Sequence, residues 1–303
     1  MNKSKLSLGR LICVLATVII FTALAACAAP LPPASPTATL TTTPAPPTTT
    51  PTTTPAPTPP AVAPPGYVTP GAVDGSEVSF TSDGFNIRAY LSKPKSSGTF
   101  PGMIIIHENR GLTPHIPDVA RRFANQGYVA LAPDLLSRIG GTAKFPTTDE
   151  AVAAIGTLSS DGVISDLNAA FDYLQALPEV RDDKIGVIGY CWGGGNSLLF
   201  ATRNNKLSAA VVYYGPNPAN IDDVAKITAP FLGIYGEEDT RISMNVPALV
   251  EALQRYGKSF EYKIYPGAAH AFFNDTGTRY HPEAAAAAWQ VTLAFLQKHL
   301  KGQ

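Results

Sequence analysis

The folded part of this chain predicts an α/β domain, with a mostly parallel central sheet and helices on both faces. Two observations carry that expectation. From about residue 72, short apolar runs rich in β-branched residues alternate with segments of helical spacing. Several of those runs are also continuously apolar, the pattern of strands buried on both faces.

The elements follow in order. SEVSFTS (76–82) and FNIRAYLSKP (85–94) alternate like paired antiparallel strands, joined by Asp83-Gly84. PGMIIIHE (101–108) is a short buried strand, and IPDVARRFANQG (116–127) is a helix closed by Gly127. YVALAPDLL (128–136) is the next strand, followed by a helix over 161–178 and the strand KIGVIGY (184–190). KLSAAVVYYG, PFLGIYGEED, the helix PALVEALQRYG, the strand SFEYKIYPG and a helix over 284–300 complete the series. One domain spanning 72–303 results.

Upstream lie two segments of different character. Lys3, Lys5 and Arg10 precede an apolar run that is short for a membrane span and placed as a signal peptide, residues 1–26. It ends in Leu24-Ala25-Ala26-Cys27, which resembles a bacterial lipobox and makes Cys27 the lipidation candidate. The expected location is therefore outside the cytoplasm, tethered to a membrane by a lipid. An ordinary signal peptide is the alternative. Residues 27–71 form a linker. Within 28–70 there are 15 Pro and 13 Thr and no charged residue, so extended polyproline II is expected, reaching about 130 Å. Over all 303 residues the net charge is zero, which argues against a nucleic-acid partner. No disulfide framework is available to three cysteines so placed, and a monomer is expected.

The chemistry gathers around GYCWGGG (189–195), at the junction of a strand and a helix. Ligands of such sheets bind at the carboxyl ends of the strands, where Cys191 falls. G-x-C-x-G matches the nucleophile elbow of α/β hydrolases with cysteine replacing serine. Gly189 and Gly193 allow the tight turn, and the N–H of Trp192, first in the helix, faces a developing oxyanion. A buried structural cysteine at a glycine-rich crossover is the competing reading. Two further residues weigh against it. Asp239 follows the strand FLGIYG, and His270 follows FEYKIYPG, in the hydrolase order of nucleophile, acid and histidine. Glu237 and Glu238 read as a solvated turn, and His115, His281 and His299 as surface or helix-end residues. A cysteine is only a few per cent thiolate at neutral pH, so a base oriented by a carboxylate suits it.

HENRGL, PDLLSR, GYCWGG, GEED and YPGAAHAFF together resemble the dienelactone hydrolase family, over about residues 73–300. The resemblance implies an α/β-hydrolase fold and cleavage of an enol-lactone or related small-molecule ester by a Cys-His-Asp triad, with no metal or cofactor. Carried over by motif, Cys191 is the nucleophile, His270 the base and Asp239 its orienting acid. Glu108 matches a family glutamate that interacts with the resting thiol, and a carboxylate ending a buried strand needs a partner or a task. Asn109 lies in the loop that supplies the second oxyanion N–H in this fold. His107 reads as a packed, hydrogen-bonded neighbour. Better-known family members carry an arginine four residues after the histidine, where this chain has Asn274. Arg110 and Arg138 are the nearby candidates for an anion contact. Two other functions compete: a cell-envelope esterase or thioesterase of different specificity, and a non-catalytic surface-binding lipoprotein on a hydrolase scaffold.

Overall fold

The computed structural model describes residues 63–302. The expected signal peptide, Cys27 and the linker up to residue 62 lie outside the described residues.

The chain opens with a hairpin, β1 (Val73–Ser82) and β2 (Phe85–Pro94). Its two-residue turn has positive φ at both Asp83 (47°) and Gly84 (81°), which glycine and aspartate tolerate and which matches the strand twist. Then come β3 (Phe100–Ile106), α1 (His115–Asn125), β4 (Val129–Pro133), α2 (Thr148–Ile155) and α3 (Ser160–Gln175). β5 (Val180–Tyr190) leads into α4 (Trp192–Ala201), followed by β6 (Ala209–Tyr213) and β7 (Phe231–Gly236). α5 (Thr240–Ser243), α6 (Val246–Arg255), β8 (Phe260–Tyr265) and α7 (Pro282–Leu296) complete the fold.

The eight strands among the described residues form one sheet in the order β1-β2-β4-β3-β5-β6-β7-β8. β1 and β2 pair antiparallel, β2 meets β4 antiparallel, and every later pairing is parallel. Alternation along β3 divides the core. Ile104 and Ile106 pack toward α3 and α6, through Leu167, Phe171, Leu249 and Leu253. Met103 and Ile105 pack toward α1 and α7, through Val119, Phe123, Trp289 and Leu296. Each fully buried Leu or Phe of these layers contributes about 1.5–3 kcal/mol, and together they hold the loops at the strands' carboxyl ends in place.

Some details differ from the sequence expectation. Helix α2 was not expected, although Thr147 and Glu150 form a capping box at its start. β5 begins at Val180, four residues before Lys184, because it extends past the buried segment along β3. Packing also starts before residue 72: Val68 is buried, and the Pro65 carbonyl accepts a bond from Arg122 Nη1 at 3.4 Å.

Arg122 is itself buried on α1. Its guanidinium donates to Asp118 (Nε to Oδ2, 2.8 Å) and to Asp275 (Nη2 to Oδ2, 2.8 Å), tying α1 to the loop after β8. Asp275 also has His115 Nδ1 3.0 Å away, outside hydrogen-bond alignment. Burial opposes ionisation of Asp275, yet contact with His115 and Arg122 outweighs it and brings the carboxyl down to about 2. His115 does open a helix, as expected, but it is buried rather than on the surface. Removing one member of such a network leaves charge without its partner. Arg122→Leu is expected to lower the unfolding free energy by about 3 kcal/mol in urea titration.

Candidate active site

Four side chains converge from the carboxyl ends of four strands. Glu108 comes two residues after β3, Cys191 directly after β5, Asp239 after β7 and His270 after β8. They come together because the parallel strands all end on one side.

The turn at Cys191 is strained. Its φ of 57° and ψ of −119° lie where a side chain is disfavoured, by roughly 1–3 kcal/mol. Hydrogen bonds hold it there: Cys191 N–H donates to the Tyr213 carbonyl at 3.0 Å, and its own carbonyl accepts from Gly194 N–H (3.0 Å) and Gly195 N–H (3.2 Å). Glycine is required for space at Gly193, where a methyl group would collide with the carbonyls of Ile106 and His107. Trp192 starts α4, so its N–H has no carbonyl of the preceding helical turn to bond.

His270 Nδ1 lies 2.5 Å from Asp239 Oδ2; the Asp239 side chain is buried (5% exposed) and that of His270 half-buried (14%). Burial works against the charged ring. Hydrogen bonds to Asp239 and Cys191, with the charges of both, prevail and push His270 up to about 9. The ring also meets Tyr214 edge-on at 5.1 Å.

Glu108 is 3% exposed. Its Oε2 accepts from Asn274 Nδ2 at 2.7 Å and lies 3.6 Å from Arg110 Nη2, while Oε1 is buried with no hydrogen-bond partner among the described residues. Asn274 is held in place, since its Oδ1 also accepts from Thr276 N–H and Oγ1. Asn274, a sequence candidate for substrate contact, thus fixes Glu108 and also lines the cleft described below.

His107 is also fully buried. Its Nε2 accepts the Leu135 N–H (3.2 Å), so Nδ1 carries the proton and donates to the Glu108 carbonyl at 2.7 Å. Burial depresses its basicity, which keeps it neutral. Its ring stacks on Trp192 at 5.4 Å. Because a peptide unit is planar, bonding the Glu108 carbonyl from His107 and from Gly111 N–H (3.3 Å) turns the Asn109 N–H the opposite way.

A cleft of about 540 Å3 opens over these groups, lined by Glu108, Asn109, Cys191, His270 and Asn274 among others. Arg110, Arg241 and Arg279 also line it, and neither Arg241 nor Arg279 is ion-paired among the described residues. Arg138 does not line it. Its guanidinium is engaged by Asp166, at 2.8 and 3.0 Å to Nε, and by Asp83 at 2.8 Å to Nη2, because the buried Asp166 carboxylate needs a cation. Sequence reasoning missed Arg241, Arg279 and Tyr214. Arg241 stands two residues after Asp239, a proximity that could have marked it; Tyr214, with φ 39° and a buried unpartnered hydroxyl, left no motif.

The dienelactone hydrolase family profile matches residues 87–300. The chain belongs to the dienelactone hydrolase family. A Saccharolobus solfataricus protein, provisionally named a carboxymethylenebutenolidase, is 34% identical over 257 residues, covering 73% of this chain and 98% of the relative. A Bradyrhizobium protein, provisionally named a 2-oxo-3-(5-oxofuran-2-ylidene)propanoate lactonase, is 34% identical, covering 75% of this chain and 95% of the relative. The crystal structure of a protein provisionally named a dienelactone hydrolase, from Klebsiella pneumoniae, superposes with a TM-score of 0.71 at 31% identity, covering 75% of this chain and all of that one. The fold is that of the α/β hydrolases, and this dienelactone hydrolase family member is a hydrolase of esters or lactones.

The raised His270 has a consequence for stability. Its folded-state value of about 9 exceeds the ordinary 6.5, so its contribution is complete below pH 6.5 and is lost as pH rises through about 9. The stability difference between the parent and His270→Gln should therefore narrow across that window in urea titrations. A difference independent of pH would contradict the assignment.

Proposed function

We propose that the chain cleaves an activated ester or enol-lactone bearing a negative charge, through a thioester on Cys191. The observation that carries this reading is the Asp239–His270 pair, with His270 and Cys191 both lining the cleft.

Cys191 Sγ adds to the substrate carbonyl, and the carbonyl oxygen takes up negative charge. The N–H groups of Trp192 and Asn109 stabilise it, and neither has to reorganise to do so. The C–O bond breaks, and His270, which holds the proton taken from the Cys191 thiol, delivers it to the departing enolate or alkoxide and is left neutral. Neutral His270 then removes a proton from water, hydroxide attacks the thioester, and Cys191 is released as the acid product forms. Asp239 holds the ring orientation and stabilises its charged form. Asn274 and Arg110 place Glu108 beside this couple with one carboxylate oxygen free to meet the thiol.

Arg110, Arg241 and Arg279 favour a substrate that carries a carboxylate or similar anion away from the reacting carbonyl. Arg279→Ala should raise KM for a carboxylate-bearing lactone roughly tenfold while leaving a neutral ester unaffected. Equal effects on both substrates would count against the anion contact.

His107 acts here as a positioning residue. His107→Gln is expected to lower kcat by roughly 10-fold or more with KM little changed, because the Asn109 N–H loses its fixed direction. A loss that tracks the unfolding midpoint instead would assign His107 to stability alone.

Turnover of a dienelactone by the full chain, beside Cys191→Ala, tests the whole reading; activity surviving in Cys191→Ala would end it. The lipid anchor at Cys27 and a location outside the cytoplasm remain part of the proposal. Mass spectrometry of the mature N-terminus should show a lipid-modified Cys27.

A further inference from the structure

Among the described residues, β8 forms one end of the sheet, with β7 on its inner side and no strand on its outer side. The hydrogen-bond phase of its ladder is fixed. Phe231 N–H donates to the Ser259 carbonyl and Glu237 N–H to the Tyr265 carbonyl. In a parallel ladder alternate residues face the same neighbour, so the odd-numbered residues of β8 face β7. The N–H and C=O groups of Phe260, Tyr262 and Ile264 therefore point to the open edge.

The side chains at that edge are exposed and apolar on one face. Phe260 stacks on Tyr262 at 6.4 Å, while Tyr262 and Ile264 remain 43% and 41% exposed. Glu261 and Lys263 project from the opposite face. Lysine on an edge strand commonly discourages pairing. Here, however, the two opposite charges flank Tyr262 symmetrically. Among the described residues Glu261 has one ion-pair partner, the exposed Lys298 at 3.6 Å, and such surface pairs contribute little.

We propose that two copies of this chain pair through β8, antiparallel and centred on Tyr262, to make one continuous sixteen-stranded sheet. Centring on Tyr262 pairs Phe260 with the partner's Ile264, and Tyr262 with its own copy. These are the residues whose backbone groups point outward, so they form the hydrogen-bonded pairs. Glu261 then stands opposite the partner's Lys263, and Lys263 opposite the partner's Glu261. Those are the non-hydrogen-bonded positions, where the strands come closest, at about 4.5 Å between Cα atoms. Backbone phase, apolar stripe and charge thus select one register. A copy shifted by one residue would bring inward-facing backbone groups to the edge.

Sedimentation velocity of the full chain over a wide concentration range tests the pairing, with circular dichroism to confirm that each variant is folded. The parent should show a reversible monomer–dimer equilibrium. Glu261→Lys and Lys263→Glu each place like charges opposite one another twice, and each should weaken the dimer roughly tenfold. The combined exchange, Glu261→Lys with Lys263→Glu, should restore it. A parent that stays monomeric throughout, a dimer indifferent to the single reversals, or a combined exchange that fails to restore association would each overturn the proposal.

Discussion

The left-handed turn at Cys191 is the constraint on which the rest of the site depends. A side chain is strained at φ 57°, and the chain accepts the strain only because its surroundings leave no alternative. Cys191 N–H is tied to β6 through Tyr213, its carbonyl is tied into α4, and Gly193 presses against the backbone that follows β3. Three neighbouring strands thus converge on one residue. Relaxing the turn would require moving the sheet, so the thiol stays at its carboxyl edge, at the start of a helix.

From that point the polar groups are arranged outward in pairs. Asp239 answers His270, and Asn274 answers Glu108. His107 connects two of these units without touching the thiol, since its ring lies on Trp192 and its Nδ1–H fixes the Glu108 carbonyl. The loop carrying His270 and Asn274 is pinned in turn by Asp275 to Arg122 on α1. Ordering these groups in the folded state leaves little to rearrange when a substrate carbonyl becomes charged, which is where preorganised dipoles act most strongly.

Much of this was legible in the chain itself, because the features concerned are local. The strand-and-helix alternation, the Asp83-Gly84 turn and the order of Cys191, Asp239 and His270 each depend on residues adjacent in sequence. What could not be read depends on distant residues. Asn274 reaches Glu108 across 166 positions, and Arg138 is claimed by Asp166 and Asp83 from other elements. Of these two candidates for substrate contact, Asn274 lines the cleft and Arg138 does not. Helix α2 was legible in principle through its Thr147–Glu150 box, but its short apolar pattern resembles a loop. Tyr214 carries no motif, because its place beside His270 follows from the packing of β6 between β5 and β7.

The central claim is a covalent bond between substrate and Cys191. Its most direct measurement is mass spectrometry of the enzyme quenched during turnover of a slowly deacylating activated ester. The account predicts an added acyl mass on the peptide containing Cys191, lost on further incubation as the acid product appears. Product formed at the same rate with no mass on that peptide, or with the acyl group on another residue, would contradict it.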